Sequence, residues 1–186
     1  MEIQTRLLKT RRASFGFSLL EILVVITVLA ILLGIGYPVF HQIQDRAKAV
    51  RCASNLSSLG AALNLYLLDH QNRMPTLLAG KSSRDQPGDT IDSVLAPYVK
   101  SDHVFHCPAD DAGLHESTGT SYFWNSLLNG QPVTSLRFLV VTDPARIPVL
   151  SDKEGFHRHI GDKVNLLYAD GRVEKDVRFS VGPAVP

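Results

Sequence analysis

Apolar residues are spread unevenly along the chain. From residue 17 to residue 37 they run almost unbroken, and the ionisable side chains in that stretch are Glu21 and the terminal Tyr37. As a helix rising about 1.5 Å per residue, these residues reach about 31 Å, the thickness of a bilayer's hydrocarbon core. Gly34, Gly36 and Pro38 stand at the end of the run. Proline lacks a backbone donor and crowds the turn before it, and glycine adds backbone freedom, so a local break or bend is predicted there. Beyond Pro38 the pattern becomes amphipathic. Phe40, Ile43, Ala47, Val50, Ala53, Leu56, Leu59, Leu63 and Tyr66 recur at steps of three and four. That spacing predicts a continued helix with one apolar stripe, ending near Asp69 ahead of Asn72 and Pro75.

Shorter elements follow. Residues 89–100 read as a helix capped by Asp89 or Thr90, with Pro97 near its end. Residues 120–124 and 147–150 read as strands. Period-two alternation over residues 164–169, and again over 173–179, predicts a hairpin whose turn is Asp170-Gly171. A long helix followed by short antiparallel strands is an α+β arrangement, in which the outer part of the helix packs on a small sheet.

Composition narrows the function classes. The 186 residues carry 19 Lys and Arg against 18 Asp and Glu, a formal charge of +1. Near-neutrality argues against a partner bound by phosphate neutralisation, so no nucleic-acid partner is expected. The 149 residues after Tyr37 suffice for one hydrophobic core. Arg6, Lys9, Arg11 and Arg12 form a basic start, but the apolar run is too long for a secretory signal peptide and no small-x-small cleavage site follows it. Gly16 instead stands directly before the run.

The string Gly16-Phe17-Ser18-Leu19-Leu20-Glu21 behind that basic start resembles the prepilin signature of type IV pilins and type II secretion pseudopilins. The resemblance implies a leader of residues 1–16, cut from Phe17 by a prepilin peptidase that also methylates the new amino terminus. It implies a transmembrane assembly helix over residues 17–37, an amphipathic continuation over 38–72 and an exported β-rich domain over 73–186. Glu21 fits this scheme. A carboxylate in a membrane helix costs up to about 2.5–3.5 kcal/mol on insertion scales, and a bare anchor has no reason to carry one. The amine freed at Phe17 is cationic at neutral pH and lies four residues away, able to pair with Glu21 of its own chain or of a neighbour. In the family that pairing is assigned to assembly. The implied partners are prepilin peptidase, other pilin or pseudopilin subunits and inner-membrane components of a secretion system. The implied location is the bacterial inner membrane, with the leader cytoplasmic and the domain periplasmic or extracellular.

A second resemblance is to prepilin-type proteins marked by a late histidine followed by Asp-Gly. His159, Asn165, Asp170 and Gly171 carry it, with one more residue between His159 and Asp170 than the subfamily has.

Candidate chemistry in the exported part is sparse. Cys52 and Cys107 fall where oxidation is usual, and a bridge would enclose 54 residues; the alternative is two buried thiols. His103 and His106, with Cys107, are the metal-like spacing, but no second paired motif completes a zinc set. No resident cofactor is implied. Some type II pseudopilins hold calcium in a late loop, and Asp143, Asp152, Asp162 and Asp170 are the acids that would offer oxygens here. No nucleophile elbow, phosphate loop or zinc-protease helix is present, so a non-enzymatic protein is expected. Three functions compete: a structural filament subunit, secretion pseudopilin rather than pilus pilin; an anchored binding module using residues 103–129; and an anchored metalloenzyme using His103, His106, His157 and His159.

Overall fold

The computed structural model describes residues 18–153, 155–157 and 164–175. The chain forms two compact units, Met1–His41 and Gln42–Pro186. One helix, α1 (Leu19–Asp69), contributes to both. It ends where the sequence pattern places its end. The predicted break at Gly34, Gly36 and Pro38 does not occur: the helix is continuous through all three. Proline deletes one helical hydrogen bond, and the bonds of the turns on either side keep the rest of the ladder intact.

The second unit is built on the outer part of α1. Ala49, Cys52, Leu56, Leu59, Gly60, Ala62, Leu63 and Leu67 are buried. The predicted stripe therefore holds from Leu56 onward and fails before it. Phe40, Ile43, Ala47 and Val50 are exposed, and the buried face begins only at Ala49 and Cys52. Gly60 marks the closest approach of helix to sheet, since a Cβ there would lie 3.1 Å from Leu167 Cδ1.

After α1 the chain makes α2 (Ile91–Leu95), which tightens into a 3-10 turn at Ala96–Tyr98 where Pro97 enters. Thr90 is its cap and exchanges hydrogen bonds with Ser93. A further 3-10 turn, Asp102–Phe105, and a short helix, α3 (Leu114–Thr118), lead to the sheet. The strands are β1 (Tyr122–Trp124), β2 (Pro148–Asp152), β3 (Leu166–Tyr168) and β4 (Val173–Glu174), in that order and antiparallel throughout. Strands β3 and β4 form the predicted hairpin, with a three-residue loop rather than two: Tyr168 N–H donates to Arg172 O across it, and Gly171 takes φ +86°. The part of the alternation beyond residue 175 lies outside the described residues.

Between β1 and β2 the chain is irregular and is pinned by Asn129. Its amide donates to Leu77 O at 2.9 Å, while its oxygen accepts from Leu77 N–H at 3.1 Å and from Trp124 Nε1 at 2.7 Å. One side chain thereby imitates a strand partner for an otherwise unpaired backbone.

Candidate functional site

Two regions hold chemistry. The first is the amino-terminal part of α1. Every described residue from Ser18 to His41 is exposed, including Leu33 at 71% and Ile35 at 67%. In length and composition this stretch can cross a membrane. Glu21, in the first turn, is likewise exposed. Gly16 and Phe17, the predicted cleavage point, lie outside the described residues.

The second region is a buried polar layer between the outer helix and the sheet. Cys52, on α1, and Cys107, just after the 3-10 turn at Asp102–Phe105, are bridged, with their Cα atoms 5.0 Å apart. The bridge predicted as one of two alternatives is therefore formed, and it ties helix to domain with both cysteines fully buried. His157 lies against it, Nε2 at 3.8 Å from Cys107 Sγ and 3.5 Å from Asp152 Oδ2. Asn165 donates to that same oxygen from its backbone N–H and from Nδ2, each at 2.9 Å. Asp152 Oδ1 has no hydrogen-bond partner among the described residues. Burial pushes the Asp152 carboxyl up to about 6, with the two Asn165 bonds opposing.

Asp110 is a second buried acid in a different state. Ser121 Oγ donates to it at 2.7 Å, and the backbone N–H groups of Leu114 and His115 donate at 2.9 and 2.8 Å, so it caps α3 from outside the helix. Burial alone would raise its pKa; these bonds, with His106 nearby, outweigh burial and hold it below the ordinary carboxylate value. Ser121 also accepts from Cys107 N–H at 3.1 Å, so this network continues to the bridge.

The structure redistributes the other predicted residues. His103 is exposed and His106 faces His115, ring centres 4.9 Å apart, while Cys107 is consumed by the bridge; the three do not form a ligand set. Asn165 is fully buried as the partner of Asp152, a role its motif membership does not reveal. Asp170 sits in the hairpin loop and binds Arg172. Asp143 accepts from Ala145 N–H at 3.0 Å. Asp143, Asp152 and Asp170 are thus each engaged locally, and Asp162 and His159 lie outside the described residues. His157 was named in sequence only among the histidines of a metalloenzyme, and Asn129 had no distinguishing pattern; Cys107, 50 residues from His157, and Leu77, 52 residues from Asn129, supply the contacts that place them.

Comparison with known proteins bears on the first region. Residues 11–37 match the prokaryotic N-terminal methylation motif. The chain is type IV pilin-like. It is 31% identical over 98 residues to the type II secretion system core protein G of Escherichia coli strain K12, a match covering 53% of this chain and 66% of that protein. The corresponding protein of Pectobacterium carotovorum subsp. carotovorum is 38% identical over 99 residues, covering 53% and 62%. That of Pseudomonas aeruginosa is 37% identical over 60 residues, covering 32% and 42%. The pilin-like chain thus spans from about two fifths to just under two thirds of these relatives' length. No solved structure matches it.

Proposed function

We propose that this pilin-like chain is a structural subunit of a type II secretion machine, a pseudopilin. It is inserted in the bacterial inner membrane through the apolar part of α1, with residues 1–16 cytoplasmic and the disulfide-bonded domain on the periplasmic side. Prepilin peptidase cuts between Gly16 and Phe17 and methylates Phe17. The subunit then joins others of its kind in a short filament, its Phe17 amine and Glu21 satisfying each other between neighbours. Inner-membrane components of the secretion system supply the energy.

The observation that carries this reading is that a methylation motif over residues 11–37 takes in the apolar stretch of α1, whose described residues are all exposed and which bears a single acid, Glu21. An apolar stretch of that length needs lipid or neighbouring helices around it, and the acid needs a cation there. Similarity to core protein G of several secretion systems supports the same reading. It is a structural role, with no substrate and no chemistry at the subunit itself.

Processing tests it. Co-expressed with a prepilin peptidase, the chain should lose residues 1–16 and yield a product whose amino terminus is methylated Phe17, read by mass spectrometry. Gly16→Val should block the cut. A chain left intact by active peptidase would overturn the reading.

A further inference from the structure

The buried layer around Cys52 and Cys107 has a second use that the disulfide conceals. The ligand atoms of Cys52, Cys107 and His157 all lie within 4.8 Å of one another. His157 Nε2 is 3.8 Å from Cys107 Sγ and 3.5 Å from Asp152 Oδ2. Around a tetrahedral zinc, with bonds of about 2.3 Å to sulfur and about 2.0–2.1 Å to nitrogen or oxygen, neighbouring ligand atoms stand about 3.3–3.8 Å apart. The two sulfurs need only part from bonding distance to that spacing. Two thiolates, one imidazole and one carboxylate form a mixed set that zinc accepts. The carboxylate is already oriented by Asn165, and its Oδ1 has no partner among the described residues. Cys52, Cys107, His157 and Asp152 are all at most 3% exposed, so the site is closed, as structural zinc sites are.

We propose that the reduced form of this domain binds one zinc ion through Cys52, Cys107 and His157, with Asp152 at the fourth position. The ion replaces the disulfide as the tie between α1 and the segment at Cys107, and adds Asp152 of β2 to that tie. The residues that hold the bridge in an oxidising compartment then hold a metal when no oxidant has reached them. Binding takes up Zn2+ and releases the two thiol protons. Oxidation by a small-molecule or protein disulfide forms the Cys52–Cys107 bond, reduces that disulfide to two thiolates, and frees Zn2+. Because every ligand is buried, the metal enters as the reduced chain folds, and uptake and folding are coupled.

The test uses the full chain in detergent. It is reduced with a phosphine in urea without oxygen, then returned to native buffer with Co2+ as a spectroscopic stand-in or with Zn2+. One equivalent of Co2+ should bind, giving the thiolate charge-transfer band in the near ultraviolet and the intense visible bands of tetrahedral cobalt. Adding a disulfide oxidant should abolish both. His157→Ala should weaken Zn2+ binding by more than about 100-fold, beyond the 10–100-fold typical of losing an outer partner, while its oxidised form still closes the bridge, read by thiol counting. If reduction alone unfolds the domain, Zn2+ must restore near-ultraviolet dichroism. Failure to restore it, absence of the thiolate band, or equal binding by a Cys52→Ser, Cys107→Ser chain would overturn the proposal.

Discussion

The two parts of α1 are built from similar residues and meet opposite surroundings. Leu29 and Leu32 are 50% and 61% exposed, whereas Leu56 and Leu59, further along the same helix, are completely buried. Helical periodicity explains the second pair: its leucines lie on one face and the sheet covers that face. Among the described residues, nothing buries the first pair. The difference shows that apolar content alone does not define a core. In the outer part it is matched by chain that returns to the helix, and in the first part the proposed function assigns the cover to lipid or other subunits. Glu21 sharpens the contrast, since an acid in an uncovered apolar segment makes sense only if a cation arrives with those surroundings.

The comparison can be broken at several points. Removing the bridge by Cys52→Ser should destabilise the domain most, by about 4 kcal/mol on the chain-entropy model for a loop of this size, measured by urea unfolding in metal-free buffer. Leu56→Ala, at a fully buried site, should cost about 2–5 kcal/mol. Asn129→Ala strips partners from both backbone groups of Leu77 and from Trp124 at a part-buried site where water can replace some of them, and should cost about 1–3 kcal/mol in all. Leu29→Ala, in the uncovered part, should change domain stability by no more than about 0.5 kcal/mol. A cost at Leu29 matching that at Leu56 would erase the distinction between the two parts.

A gentler test uses acid. Asp110 is held below its unfolded pKa, so its contribution is complete above the unfolded value of about 4 and is lost as pH falls through the lower folded value. The urea midpoint of the native chain should therefore fall more steeply below about pH 4 than that of Asp110→Asn. Identical slopes would mean that the bonds from Ser121, Leu114 and His115 do not favour the charged form.

Much of this was legible in residue order, for identifiable reasons. The end of α1 at Asp69, the helix after Thr90 and the hairpin at Asp170-Gly171 are local: caps, turn residues and periodicity act over a few positions. The exposed stripe of Phe40, Ile43, Ala47 and Val50 was misread because periodicity reports a face and cannot report what covers it. Of the break or bend predicted at Pro38, the break is not met, because the hydrogen-bonded turns on both sides of the proline hold a 51-residue helix continuous. The Asp152–His157–Asn165 layer was illegible as a layer. Its members come together through the register of β2 and β3 and the helix they pack on, which no short sequence window contains. The metal-like spacing at His103 and His106 misled for the same reason, since Cys107 had a partner 55 residues away.

The central claim is that the uncovered part of α1 is an assembly surface whose acid is answered by a neighbour's amine. It is tested most directly by disulfide cross-linking in membranes that contain the processed chain and its partner subunits, with single cysteines placed in turn at positions 22–40. The native cysteines are already bridged and do not interfere. Cross-links between copies should recur with helical periodicity and disappear when Glu21→Leu is added, although that variant still inserts and folds its domain. Cross-linking that persists unchanged in Glu21→Leu would contradict it.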